Sequence, residues 1–215
     1  MSKVKVYHSA GHHGYSNFIA NAEIVPTIKE ADVVLFAGGE DIDPSLYNDV
    51  CGKYTSFNDK RDAIEVRDFK EALKLGKPMY GTCRGLQLLT AMAGGRLIQD
   101  MDHPGGHTVI NDDGETMSVN SLHHQMAYPF DMPKEDYEIL ASVPEQISTT
   151  HTDGQMKEMN PPMEVEAVYY PKIKAFGVQW HPEMMSYRME SDNKLLHFNW
   201  LKRKFKEKLN LDIEI

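Results

Sequence analysis

Apolar residues recur along this chain with two different periods. Lys3 to His8 alternates polar and apolar positions as a half-buried strand does. Ala31 to Ala37 is a compact apolar run ending in Gly38-Gly39, and Pro78 to Gly81 is a short segment following Gly76. Between the last two, Ala63, Ile64, Val66, Phe69, Ala72, Leu73 and Leu75 recur at helical intervals, which predicts a helix over Lys60 to Leu75 that stops at Gly76-Lys77-Pro78. A second helix is predicted from about Arg84 to Ala93, with Leu86, Leu88, Leu89 and Met92 apolar and Gly94-Gly95 as its stop. After residue 95 the texture changes to short β-like pieces at 96–100, 117–123, 137–142, 165–170 and 175–180, the last two joined across Pro171-Lys172 as a hairpin. Leu195, Phe198, Leu201 and Phe205 mark a helix near the C-terminus.

Strands alternating with helices in the first half predict an α/β protein with a parallel sheet covered on both faces, extended by antiparallel strands from the second half. No repeat, low-complexity tract or Ser/Pro-rich linker divides the chain, so one domain is expected across residues 1–215. With 41% hydrophobic and 26% charged residues the composition is that of an ordinary globular protein with its own core. The longest unbroken apolar run, Val33 to Ala37, is far short of the roughly 20 residues of a membrane helix. No secretory pattern opens the chain, so the cytoplasm is the expected compartment, where Cys51 and Cys83 stay reduced. A net charge of −9 argues against a nucleic-acid partner. The basic stretch Lys202 to Lys208 reads as the solvated face of the last helix.

Candidate chemistry gathers at Gly81-Thr82-Cys83-Arg84-Gly85, where a strand turns directly into a helix with a cysteine at the turn. This is the thiol version of the G-x-S-x-G elbow, which holds a nucleophile proud of a sheet and points a helix N-terminus at it. Cys51 lies in a polar stretch and reads as an incidental loop position. In Gln179-Trp180-His181-Pro182-Glu183 a histidine at a strand end precedes a carboxylate by two residues, which suits a base and its orienter. Backbone N–H groups of the Gly38-Gly39 turn and of Arg84 are candidates for an oxyanion hole. The Gly38-Gly39 segment lacks both G-x-G-x-x-G and a G-K-[ST] ending, so a phosphate cradle is disfavoured, and Asp41-Ile42-Asp43-Pro44 lacks the glycine and distal glutamate of an EF-hand.

These residues resemble the class I glutamine amidotransferases, and most of all the branch of γ-glutamyl hydrolases that includes γ-glutamyl-γ-aminobutyrate hydrolase. The resemblance rests on Ala37-Gly38-Gly39-Glu40-Asp41-Ile42-Asp43-Pro44-Ser45-Leu46-Tyr47, Arg61-Asp62, Gly81-Thr82-Cys83-Arg84-Gly85-Leu86-Gln87, Gly94-Gly95 with Leu97-Ile98-Gln99-Asp100, Val119-Asn120-Ser121-Leu122-His123-His124-Gln125 and Gly177-Val178-Gln179-Trp180-His181-Pro182-Glu183. It implies a flavodoxin-like three-layer sandwich and a Cys-His-Glu triad that cleaves a γ-glutamyl amide through a thioester. Cys83 would be the nucleophile, His181 the base and Glu183 its partner. Gly39 and Arg84 would supply the oxyanion amides, and Gln87, His123 and His124 would hold the glutamyl portion. The substrate would be a small γ-glutamyl compound, with no cofactor and no metal. The alternative is a glutaminase subunit that hands ammonia to a synthetase partner on another chain.

The segment before Val33 is shorter than the first strand-helix unit such a family leads one to expect, and it is rich in histidine. His8, His12 and His13 lack acidic or cysteine ligands at fixed spacing, so they read as solvated loop residues. His103 and His107 flank the turn Pro104-Gly105-Gly106, His151 precedes Asp153-Gly154, and all three read as positions without a ligand role. Met156, Met159, Met163, Met184, Met185 and Met189 lie near the expected cleft, for core filling or for contact with a leaving group or partner.

Overall fold

Val33, Val34, Leu35 and Phe36 are all buried, so their strand is covered on both faces, as its uninterrupted apolar run requires. The computed structural model describes residues 3–103, 105–185 and 191–215, with side chains described for all of these except 191–195. Its strands in chain order are β1 (Val4–His8), β2 (Ala22–Ile24), β3 (Val33–Phe36), β4 (Met79–Thr82), β5 (Arg96–Ile98), β6 (Asp100–Met101), β7 (Gly106–Asn111), β8 (Thr116–Asn120), β9 (Met126–Tyr128), β10 (Glu138–Ser142), β11 (His151–Thr152), β12 (Val165–Tyr170) and β13 (Ala175–Val178). The helices are α1 (Asp59–Lys74), α2 (Arg84–Ala93), α3 (Pro182–Met185) and α4 (Ser191–Leu209).

Among the described residues nine strands form the main sheet, in the order β2-β1-β3-β4-β13-β12-β10-β7-β8. The first five in that order are parallel and the rest join antiparallel, which is the mixed sheet expected of a flavodoxin-like α/β fold. Alternate residues of β3 sort into two cores. Val33 and Leu35 face a core with Phe205, Trp200 and Leu201 of α4, whereas Val34 and Phe36 face one with Phe69 of α1 and Leu86 and Leu89 of α2. Phe36 is in register with Gly81, and Gly81 with Gly177, so β3, β4 and β13 end side by side and their following loops share one edge. In a parallel sheet this carboxyl edge is where ligands bind.

Several elements depart from the expectation for physical reasons. The first crossover, as its short length suggests, is built from 3₁₀ turns at Ser9–Gly11 and His13–Ser16, whereas the later elements differ more. The strand expected at 96–100 breaks at Gln99, whose side-chain amide donates to the Val50 carbonyl at 2.9 Å and accepts from the Gly52 amide at 2.9 Å. The strand expected at 117–123 ends at Asn120, and β7 begins inside what reads as a turn. Helix α1 turns another face inward than its apolar pattern predicts. Arg61, Asp62, Glu65, Asp68, Phe69 and Ala72 are buried, while Ile64, Leu73 and Leu75 are exposed. In α4 the expected stripe holds at Phe198, Leu201 and Phe205, and Leu195 lies outside the described side chains. Lys204 is not solvated: it is buried and donates to Asp112 at 2.8 Å and Glu207 at 2.9 Å.

Helix α2 packs so closely under β3 that a Cβ at Gly85 would collide with the Phe36 carbonyl, a backbone atom that cannot rotate away. Gly85→Ala should therefore lower stability by at least about 2 kcal/mol, the upper range for overpacking. Chemical denaturation checks this; an unfolding midpoint equal to wild type would refute the packing argument.

Candidate active site

Cys83 stands between β4 and α2 with φ 52° and ψ −111°, left-handed backbone of a kind that non-glycine residues rarely adopt. Its amide donates to the Val178 carbonyl of β13 at 2.7 Å, and its carbonyl accepts from the Gln87 amide at 3.2 Å. The thiol is buried at the N-terminus of a helix, whose first N–H groups, Arg84's among them, have no intrahelical acceptor. That end of the helix favours negative charge on the sulfur.

His181 follows β13 on the neighbouring loop, and Glu183 lies in the short helix α3 that comes next. The His181 Nδ1 lies 2.7 Å from Glu183 Oε1, so the carboxylate accepts the Nδ1 proton and leaves Nε2 to act elsewhere. Burial alone would push the ring down, but Cys83 and Glu183 both act on it and push it up to about 10. The backbone of His181 is fixed from β8: the Asn120 side chain accepts its amide at 2.8 Å and donates to its carbonyl at 3.0 Å. Gly38 leaves room for the imidazole, since a Cβ there would come within 2.7 Å of His181 Cε1 and 3.0 Å of the Tyr15 ring. The Tyr15 ring lies beside the imidazole, with centroids 6.1 Å apart, and burial, then Glu183 and Cys83, push its phenol up.

The loop after β3 is held by charges on the buried face of α1. Arg61 donates to the carbonyls of Ala37 at 3.0 Å and Gly38 at 2.9 Å, to Glu40 at 2.8 Å and to Glu65 at 3.0 Å. Arg84, fully buried at the first turn of α2, is paired with Glu65 and Asp62. Because the Gly38 carbonyl is bound to Arg61 and the peptide is trans, the Gly39 N–H points away from Arg61. Gly39 itself has φ 139°, which few side chains tolerate.

The remaining expected residues are placed less uniformly. Gln87 is buried and donates to the Gln125 carbonyl at 3.0 Å. The half-exposed His124 lies 3.2 Å from Asp41 in the loop after β3, and that contact, against burial, pushes its pKa up. The His123 ring points inward, donating from Nδ1 to the Gln125 carbonyl at 3.0 Å, and burial lowers its pKa to about 4. It therefore does not face the open edge, as contact with the glutamyl portion requires. His8 is buried too, with Nε2 2.8 Å from Ser16 Oγ, and burial lowers it to about 4. His103 and His107 are also not turn positions facing water. Their rings are buried against Glu166, whose burial would raise its pKa but which these histidines hold down to about 2. His151 is buried with Nε2 3.0 Å from Glu164. Of the methionines, Met185 is core, Met156, Met163 and Met184 are exposed, Met159 is partly buried, and Met189 and Pro104 lie outside the described residues. Sequence reasoning missed Tyr15, Glu65, Asn120 and Glu166. Only Glu166 leaves a trace, as a carboxylate inside the apolar run Val165 to Tyr170.

The family model of peptidase C26 matches residues 18–183, which include Cys83, His181 and Glu183. The chain belongs to the peptidase C26 family. Membership makes it a hydrolase-type, glutamine amidotransferase-like protein. Among similar proteins, Protein NtpR of Enterococcus hirae is 29% identical over 184 residues, covering 80% of this chain and 74% of that one. The glutamine amidotransferase-like protein YvdE of Lactococcus lactis is 29% identical over 175 residues, covering 71% of this chain and 66% of its own length. A glutamine amidotransferase structure from Thermotoga maritima superposes with a TM-score of 0.54 at 14% identity, over 99% of this chain and 89% of that one, and so shares the fold. No helix among the described residues is long and apolar enough to cross a membrane.

A raised folded value means that the proton on His181 contributes stability fully below about pH 6.5, and that this is lost as pH rises through about 10. NMR titration of the ring should therefore give a midpoint far above the ordinary histidine range in wild type, and a lower one in Glu183→Gln and in Cys83→Ser. A wild-type midpoint near 6.5 would sink the ion-pair description.

Proposed function

We infer that this protein is a cysteine hydrolase of γ-glutamyl amide bonds, acting on glutamine or a γ-glutamyl amine. The observation that carries the reading is Cys83 on a strained elbow, with an imidazole that bonds Glu183 at 2.7 Å and is raised to about 10 by both neighbours. A cysteine and a carboxylate-oriented imidazole brought together in this way are the nucleophile and base that the reaction needs.

In this reading the Cys83 thiolate attacks the γ-carbonyl carbon, and the oxygen takes negative charge. The amides of Gly39 and Arg84 stabilise that oxyanion: one is turned away from Arg61 by the trans peptide, the other is free at the start of α2. Collapse breaks the C–N bond as His181 gives its Nε2 proton to the leaving amine or ammonia. Water then attacks the thioester with His181 as base, releasing glutamate and restoring the thiolate. Glu183 keeps the ring in the tautomer that serves both steps. Gln87 and His124 are proposed to help hold the glutamyl portion, Gln87 indirectly by fixing the Gln125 carbonyl and His124 from beside Asp41.

Glutamate release from glutamine and a panel of γ-glutamyl amines, by wild type and Cys83→Ala, tests the reading. Turnover should be lost in Cys83→Ala and fall about 10²–10⁴-fold in His181→Gln. Release that persists in Cys83→Ala would overturn it. If no substrate turns over but Cys83 is labelled by a glutamine-derived electrophile, the site waits for a second chain, and the glutaminase subunit serving a synthetase becomes the function.

A further inference from the structure

Behind the site, three imidazoles converge on one carboxylate. The Nε2 atoms of His103 and His107 each lie 3.4 Å from Glu166 Oε1, and that of His123 lies 3.7 Å from it. The side chains are buried, with exposures of 0% for His103 and Glu166, 5% for His107 and 1% for His123. All three Nε2 atoms and both Glu166 oxygens lack a hydrogen-bond partner. A buried polar atom without a partner costs about 1–3 kcal/mol, and several are gathered here in one place.

The spacing indicates what satisfies them. Hydrogen-bonded N–H and O groups sit about 2.9 Å apart. Donor atoms around a tetrahedral metal, with bonds of about 2.0–2.2 Å, are instead held about 3.3–3.6 Å from each other by geometry. The three separations from imidazole nitrogen to the Glu166 oxygen, 3.4 to 3.7 Å, lie nearer the second pattern. One ligand atom each from His103, His123 and Glu166 lies within 4.8 Å of the other two.

The outer contact of His123 sets its ring in the same sense. A carbonyl can only accept, so the His123 Nδ1, 3.0 Å from the Gln125 carbonyl, carries the proton and its Nε2 presents a lone pair toward Glu166. His103 Nδ1 lies 3.1 Å from Ser148 Oγ, leaving its Nε2 turned to the same oxygen. Metal-bound histidines are oriented by such contacts at the far ring nitrogen.

The geometry points to a buried structural site for a zinc-like divalent transition metal, with His103, His123 and Glu166 as ligands and His107 packed beside Glu166. Nitrogen and oxygen donors in this number suit zinc or cobalt and disfavour calcium or magnesium, which take six or more oxygens. The ion would pin β7 and the segments at 103 and 121–125 to β12. Through His123 and Gln125 it would brace Gln87. Through Glu166, whose carbonyl accepts the Gln179 amide at 2.7 Å, it would brace the loop that carries His181.

Because Cys83, His181 and Glu183 are themselves possible ligands, the test uses Cys83→Ala protein freed of metal by a chelator, titrated with zinc and separately with cobalt. We expect about one equivalent bound, the strong visible bands of tetrahedral cobalt without a sulfur charge-transfer band, and a zinc-dependent rise in Tm. Adding Glu166→Gln or His103→Ala should weaken binding at least about tenfold. Should neither double variant fold, the cobalt spectrum of Cys83→Ala alone decides. The weak bands of the aquo ion, or zinc affinity equal in Cys83→Ala and its Glu166→Gln derivative, would overturn the proposal and leave an ordinary buried ionic cluster.

Discussion

Cys83 is held at φ 52° and ψ −111°, a backbone state that costs a non-glycine residue about 1–3 kcal/mol, and the surrounding packing makes any relaxation costlier still. Gly85 leaves no gap between α2 and the Phe36 carbonyl, and the Cys83 amide is tied to Val178 on the strand that leads to His181. Relaxing the turn would tilt α2, separate β4 from β13 at their ends, and move the thiol away from the imidazole. The strain is thus the means by which two loops nearly a hundred residues apart in sequence keep a fixed separation.

A second constraint secures the opposite side. Arg84, the residue after the strained cysteine, is fully buried with Asp62 and Glu65, and Glu65 also holds Arg61, which grips the carbonyls of Ala37 and Gly38. Removing one member would leave another charge unpaired in the interior, which typically costs about 3–5 kcal/mol. Helix α1 therefore works less as a hydrophobic prop than as an ionic clamp between the glycine loop and the elbow. That is why its polar residues face inward and Ile64, Leu73 and Leu75 face water.

Much of this was legible in the chain because it depends on local pattern. The strands around Val34, Tyr80 and Phe176, the helix from Arg84 to Ala93, the elbow at Cys83 and the pairing of His181 with Glu183 all follow from periodicity or short spacing. What was not legible depends on distant partners. Nothing near Asp62 or Glu65 in sequence announces that they meet Arg84. His103 and His107 resemble the rim of a turn until Glu166, from a strand some sixty residues on, is brought against them. Asn120 looks like any polar strand end, and only the fold puts it against the backbone of His181.

The position of β13 has a consequence for how the protein comes into being. It is last among the strands in sequence but sits in the sheet between β4 and β12. A chain emerging from the ribosome carries the cysteine early, yet it can neither close its sheet nor offer that sulfur an imidazole until residues 175–183 have been made. The meeting of Cys83 with His181 and Glu183 therefore waits on residues made nearly a hundred positions later, and a product that stops before them carries the cysteine without its imidazole.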